Sequence, residues 1–472
     1  MLRFMRVPFV LIAGAVVTSC TLGRDYSRPA VETPSTHRFA SADATAASLA
    51  DLQWFELFRD ETLTGLVKTA LQQNFELRIA AERVLQARAA FGITRADQFP
   101  AVAASADLTA ARSSRRGAGA VPAGTDTDVS YTQAGFSLGW ELDVWGRLRR
   151  LSEAARAQYL ATEEARRGVI TTLVADVSET YLALRALDLE LEIARRTRDV
   201  ATDSLRLTEA RRTSGVASGL DVRQAEQLLF TATGQIASIE REIAQAENAL
   251  RLLLGQTPGD VPRGRPLEAF QAPPAVPAGL PSALLERRPD IRRAEQELVA
   301  ANAQIGAIKA EYFPRISLTG FFGAQSRALS DLLSAPARLA SASVGAAVPV
   351  FNAGRTRGNV KLAEAVHREA LVNYERVIYT AFRDVSDGLA AYAKTSEQRT
   401  QQERLVEALS ESTRLATQRY EGGLDSYLPV LDAQRNLFQG ELELARLRQR
   451  ELASIVQLYR ALGGGWSDGA RS

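Results

Sequence analysis

The chain repeats itself, so whatever fold it adopts is built twice. Arg78-Ile79-Ala80 corresponds to Arg292-Arg293-Ala294; in the same frame Ala87 meets Ala301, Gly92 meets Gly306 and Phe99-Pro100 meets Phe313-Pro314. In a slightly shorter frame Gly146-Arg147 meets Gly354-Arg355, Asp176-Val177-Ser178 meets Asp384-Val385-Ser386, and Arg211 meets Arg419. Gly215 then meets Gly423, Leu220 meets Leu428, Leu229-Phe230 meets Leu437-Phe438, and Leu254-Gly255 meets Leu462-Gly463. The expected organisation is one copy over residues 20–255, a Pro-rich linker over 256–281 that cannot continue a helix, and a second copy over 282–472.

Each copy reads as helix, hairpin, long helix, helix. Proline is absent between Pro122 and Pro258 and again between Pro349 and Pro429. Ile170, Val174, Val177, Tyr181, Leu184, Leu187 and Leu191 recur at steps of three and four, which predicts a coiled-coil seam. From Arg147 to about Arg211 only Gly168 interrupts the pattern, and at 1.5 Å per residue that helix reaches about 95 Å. Alternating charges on its other faces fit solvent exposure.

The hairpins have a different period. Between Thr132 and Val144 the even positions are Thr132, Ala134, Phe136, Leu138, Trp140, Leu142 and Val144, while the odd ones are Gln133, Gly135, Ser137, Gly139, Glu141 and Asp143. Val102, Ala104, Ala106 and Leu108 alternate with Ser105, Asp107 and Thr109, and a Gly, Ser and Arg-rich loop over 111–130 joins the pair. In the second copy Ile316, Leu318 and Phe322 alternate with Ser317 and Thr319, then Ala342, Val344, Ala346, Val348 and Val350 with Ser341, Ser343 and Gly345. The predicted hairpins cover about 101–144 and 315–351. Such alternation describes a half-buried sheet in a soluble protein or strands with one face in lipid.

The N-terminus favours lipid. Arg3 and Arg6 precede a short apolar run from Val7 to Val17, ending in small residues before Cys20, the only cysteine. This is a secretory signal over residues 1–19, too short to span a bilayer. Cys20 stands where a bacterial lipobox places its lipid-modified residue, although Val17 replaces the usual leucine; ordinary secretion with a free thiol is the alternative. Thr21, not an aspartate, follows, which fits outer-membrane sorting. No other stretch has the apolar length of a membrane helix, so deeper insertion requires β-strands. Four strands cannot close a barrel alone: two copies supply eight and three supply twelve, and a conduit favours the wider one.

Composition narrows the function. Lys and Arg number 57 against 55 Asp and Glu, so no basic field suggests a nucleic-acid partner. His37 and His367 are the only histidines and both methionines, Met1 and Met5, lie at the start, so no His/Cys metal site or cofactor is expected. The same scarcity of soft ligands inclines the reading toward organic solutes over soft-metal ions. No phosphate loop or nucleophile elbow points to an enzyme.

These residues resemble the TolC-like outer-membrane factor family, in its lipoprotein branch that serves resistance–nodulation–division efflux pumps. The carriers are Cys20 with Tyr26-Ser27-Arg28-Pro29, the stretch Trp54-Phe55-Glu56-Leu57-Phe58-Arg59-Asp60, and Asn74 before Leu77-Arg78. Further carriers are Glu311-Tyr312-Phe313-Pro314, Pro349-Val350-Phe351-Asn352-Ala353-Gly354-Arg355, Arg419-Tyr420-Glu421-Gly422-Gly423, Leu431-Asp432-Ala433-Gln434-Arg435 and Ala461-Leu462-Gly463-Gly464-Gly465-Trp466. The resemblance implies an α+β outer-membrane protein: a homotrimer sharing one barrel of about twelve strands, four per subunit, continued by a long periplasmic α-helical barrel. It implies a lipid-anchored export conduit that meets a periplasmic adaptor and an inner-membrane pump.

The resemblance also places a gate at the helix tips, where Gly215, Gly219, Gly422 and Gly423 turn one helix into the next. Leu428 and Asp432 match pore-lining positions that threefold repetition makes an apolar and an acidic ring. Asp221 and Tyr420, with Arg419 nearby, match the family's latch. The alternative is that Asp221 caps a helix and Leu428 packs in a seam. Pro429 and Asp425 depart from relatives that carry a second acidic gate residue and a latch arginine there. Two other functions compete: a tethering coiled-coil lipoprotein without a pore, and the channel of an ATP-driven type I secretion system.

Overall fold

The computed structural model describes residues 21–39, 48–52, 58–117, 122, 124–270, 277–279 and 281–464. The signal segment, Cys20, the stretch 54–57, part of the Pro-rich linker and residues 465–472 lie outside the described residues. The elements run α1 (Glu61–Gln73), α2 (Phe75–Ala96), β1 (Ala101–Arg112), β2 (Asp128–Leu142), α3 (Arg147–Thr213) and α4 (Gly219–Leu253). The second copy follows with α5 (Leu284–Arg287), α6 (Pro289–Lys309), β3 (Arg315–Ser326), β4 (Arg338–Ala347), α7 (Arg355–Glu421) and α8 (Leu428–Ala461). Both long helices have 67 residues. Among the described residues no helix is long and apolar enough to cross a membrane.

The chain divides into two units. One comprises residues 1–29, 85–161 and 295–373. Its centre is an antiparallel sheet in the order β1-β2-β3-β4. The register stacks the greasy positions into rows: Ala104, Phe136, Phe322 and Ala340 form one, and Val102, Leu138, Gly320 and Ala342 the next. Trp140, Leu318 and Val344 form a third. Val102, Phe136, Phe322 and Val344 are all more than half exposed, so this face finds no cover among the described residues. β4 stops at Ala347, short of the predicted 351, since Pro349 has no N–H for a ladder bond. β1 and β2 extend past the predicted loop limits to Arg112 and Asp128, whose side chains pair.

On the polar face Gly135 sits directly opposite Gly323. A Cβ on Gly135 would fall 2.5 Å from the Phe322 carbonyl oxygen, 2.6 Å from Gly323 Cα and 2.7 Å from the Phe321 ring. The two glycines thus let the strands approach while Phe321 covers the bare backbone, an aromatic-over-glycine arrangement.

Residues 21–29 are fastened at the strand–helix junctions. Leu22 N–H donates to the Trp145 carbonyl, and Arg150 donates to the Leu22 carbonyl at 3.1 Å and to Asp25 at 2.7 Å. Arg28 grips Glu295 through two bonds of 2.7 and 2.6 Å. Gly306 allows this course: its Cβ would meet the Leu22 carbonyl at 2.5 Å.

The other unit comprises residues 30–84, 162–294 and 374–472. The predicted seam is its core: Ile170, Val174, Val177, Tyr181 and Leu184 are buried, and Leu187 and Leu191 pack on a cluster of Ile193, Ile239, Phe438 and Leu442. Ion pairs from Arg446 to Glu190 and from Arg399 to Glu451 tie α8 to α3 and α7. The described part of the linker is packed and ordered: Gly264 N–H donates to Tyr181 Oη at 2.8 Å, and Arg263 reaches Asp188 and Glu247. Asn74 donates to the Leu253 carbonyl at the end of α4, and its repeat counterpart Arg288 donates to the Ala461 carbonyl at the end of α8.

Gly135→Val is expected to lower unfolding stability by about 2 kcal/mol or more through overpacking. Gly139→Ala, where an added Cβ meets nothing within 4 Å, is expected to change it by under about 0.5 kcal/mol. Equal denaturation midpoints for the two variants would contradict the close approach at Gly135.

Candidate pore gate at the helix tips

The two helix reversals are built alike. α3 ends with Val216 N–H bonded to the Arg211 carbonyl, and α7 with Leu424 N–H bonded to the Arg419 carbonyl, both at 2.9 Å. Gly215 and Gly423 take φ of 79° and 74°, the left-handed C′ position that closes a helix and suits glycine. Gly219 and Gly422 have ordinary φ; Gly219 opens α4. Of the four predicted tip glycines, two therefore make the turns.

The helices that follow start differently. Ser218 caps α4: its hydroxyl accepts from Asp221 N–H while the Asp221 carboxylate accepts from Ser218 N–H at 2.7 Å, a reciprocal capping box. α8 opens at Leu428 with Pro429 in its first turn and no side-chain cap on Tyr427. Tertiary contacts hold it instead. Tyr420 and Tyr427 meet edge-on with centroids 5.3 Å apart, inside a cluster with Ala201, Ala225, Leu228, Val430 and Leu431. Arg211, at the end of α3, lies 4.5 Å over the Tyr420 ring and donates to the carbonyls of Tyr420 at 3.0 Å and Glu421 at 3.4 Å. A cation thus sits at the C-terminal end of α7, where the helix dipole favours it.

The predicted latch residues take separate partners within the chain. The Tyr420 hydroxyl points to Thr208 at 3.5 Å, Arg419 pairs with Asp425 at 2.5 Å, and Asp221 is taken up by the cap. The Arg419 guanidinium holds the Asp425 carboxyl below the usual carboxylate range. This tie across the α7–α8 turn is therefore present at neutral pH and is lost only as pH falls through that lowered value. Burial pushes the Tyr427 phenol up, so it stays neutral and able to donate to Gln434, 3.4 Å away.

Leu428 and Asp432, one helical turn apart on α8, are both exposed, while Val430, Leu431, Ala433 and Gln434 between and beside them are buried. Leu428 is thus not packed in the chain's own seam. Asp432 contacts Asn436 at 3.3 Å. Leu424, Val216 and Leu220 add further exposed apolar groups at the tips. Arg211 was visible in the sequence only as the counterpart of Arg419. Among the described residues no group of His, Cys, Asp or Glu could hold a metal ion.

Known proteins resemble the chain along nearly its whole length. The family model described as outer membrane efflux protein matches residues 66–256 and again 280–464, one match per repeat. The solvent efflux pump outer membrane protein SrpC of Pseudomonas putida is 41% identical over 472 residues, 99% of each chain. The probable outer membrane lipoprotein SilC of Salmonella typhimurium is 36% identical over 462 residues, 97% of each. The open state of the Neisseria gonorrhoeae MtrE outer membrane channel superposes with a TM-score of 0.86 at 30% identity, covering 96% of this chain and all of that one.

Arg211→Ala is expected to cost the tip about 1–3 kcal/mol by removing two hydrogen bonds and the ring contact. Amide exchange over residues 418–428 should then accelerate while the α3 core near Val177 keeps its protection. Unaltered exchange at the tip would show that Arg211 does not hold it.

Proposed function

The chain belongs to the outer membrane efflux protein family, and from that premise we propose that it is a passive gated conduit whose helix tips regulate passage. It is an outer-membrane channel component of an efflux system, a trimeric β-barrel with a helical periplasmic tunnel. The observation that carries the channel reading is the sheet. Among the described residues β1 and β4 each have one edge without a partner strand, which lipid does not tolerate, and one face is apolar and uncovered. A tether without a pore would need neither.

In this reading residues 1–19 are removed, Cys20 carries the lipid, and the fastened segment 21–29 sets where the anchor meets the barrel. The name of SilC as a lipoprotein supports this. Leu428 and Asp432 face the pore axis as one apolar and one acidic ring, supported by their exposure on a single face of α8. The tips, with Val216 and Leu424 at equivalent places, receive a periplasmic adaptor, which couples the channel to an inner-membrane resistance–nodulation–division pump. No bond chemistry is assigned to the chain.

Two measurements test the reading. Phe136→Arg, on the apolar face, is expected to cost about 2–4 kcal/mol in membrane stability and to reduce recovered trimer sharply, while Ser137→Arg on the opposite face is tolerated. Equal recovery would reverse the face assignment. In planar bilayers Asp432→Asn should lower the cation-to-anion permeability ratio several-fold with the trimer intact; an unchanged ratio would move the acidic ring elsewhere.

A further inference from the structure

Arginines at the two ends of the sheet are treated differently. At the end that continues into helices, Arg147 sits on Glu141 at 2.7 Å, Arg149 on Asp143 at 3.1 Å, and Arg150 on both Asp25 and Glu153 at 2.7 Å. At the hairpin end Arg112 pairs with Asp128. The others there, Arg115, Arg116, Arg327 and Arg338, are exposed and have no carboxylate partner among the described residues. Asp126 and Asp331 also lie at this end and keep their negative charge while accepting from Asp128 N–H and the Ser330 hydroxyl, so five arginines stand against three aspartates. The hairpin end therefore carries uncompensated positive charge, multiplied by three in the assembly.

Position makes this more than solvated charge. In the register Arg338 is paired with Ala324, which pairs with Ala134, which pairs with Ala106. Arg338 thus lies on the apolar face of the sheet, one row outward from Ala340, Phe322, Phe136 and Ala104. An arginine needed only for solubility would serve as well on the polar face. On the lipid-facing side, where the next row outward passes from apolar to mixed with Leu108, Thr132 and Ser326, its guanidinium would reach the level of lipid headgroups. There the fitting partner is a phosphate, which guanidinium groups bind through paired, charge-assisted hydrogen bonds.

We propose that Arg115, Arg116, Arg327 and Arg338 form a cationic rim that binds the phosphate groups of glycolipids in the outer leaflet. The rim rests on the sheet being the part that crosses the membrane. It complements the anchor at the opposite end, where residues 21–29 are fastened, so the barrel is held at both faces of the bilayer. Its strength comes from several exposed charges acting together, so it weakens as salt rises.

The test uses the full-length trimer in detergent, titrated by calorimetry with lipid A bisphosphate, with its dephosphorylated form, and with inorganic phosphate. The wild type should bind the bisphosphate, less tightly at high salt. The combined Arg115→Gln, Arg116→Gln, Arg327→Gln and Arg338→Gln variant should bind at least about tenfold more weakly, with trimer mass and single-channel conductance unchanged. Equal affinity of variant and wild type would overturn the rim, as would equal binding of the dephosphorylated lipid. Displacement of the lipid by inorganic phosphate at the same concentration would overturn the lipid headgroup in favour of a free anion. If the combined variant does not assemble, Arg338→Gln alone decides: undiminished affinity there refutes the placement on which the inference stands. Loss of conductance in the wild type would instead contradict the membrane reading itself.

Discussion

Backbone hydrogen bonding in a medium without water sets the terms for this chain. Within a bilayer every N–H and C=O must find a partner in protein, and each that does not costs several kcal/mol. A four-stranded sheet whose outer edges on β1 and β4 are unpaired among the described residues would be acceptable in water and is untenable in lipid. Strand number, apolar face and oligomeric state are therefore one constraint seen three ways. The repeat shows how the closure is made. β2 belongs to the first copy and β3 to the second, so their pairing joins the two copies inside one chain. In the proposed trimer, β4 of one subunit against β1 of the next would make the equivalent junction between chains, with the internal seam as its template.

The two copies share a scaffold and differ where something must be held. Gly92 has open space where a Cβ would be, whereas its counterpart Gly306 is pressed by the Leu22 carbonyl and the Arg150 side chain. The N-terminal segment runs over Gly306 and pairs with Glu295 of the second copy, while the first copy holds it through Trp145 and Arg150. Phe230 is exposed while its counterpart Phe438 is buried among α3, α4 and α8. Arg211 crosses to another helix and Arg419 stays in its own turn. A duplicated sequence supplies equivalent positions; tertiary neighbours then decide which of each pair carries a contact.

How much of this could be read from the sequence follows the same division. Period-two alternation over Thr132 to Leu142 and the three–four spacing from Ile170 to Leu184 depend only on local geometry, and both elements are present with those faces. The Asp221 cap was legible as one of two alternatives, because a capping box is written in four consecutive residues. The Gly135–Gly323 approach was not, since it depends on a register between residues far apart in sequence. Nor was the packing of Arg263 and Gly264 onto α3, where prolines suggested only a linker. Arg211 was hidden because its partners, the Tyr420 ring and the carbonyls closing α7, come from the other copy.

The asymmetry of the two tips bears on how a conduit of this kind could be controlled. α4 begins with a capping box contained in its own first turn, which supports that start in addition to the packing of Ala225 and Leu228. α8 has no such cap, and its beginning depends on Tyr427 packing against Tyr420 and on Arg211 holding the end of α7. Local order has an intrinsic part at one tip, the capping box, and is borrowed from tertiary neighbours at the other. Borrowed order can be withdrawn by moving one surface, and Leu428 and Asp432 stand on the helix that borrows it. The proposed gate residues thus occupy the tip whose geometry a partner could change at least cost to the rest of the helical core.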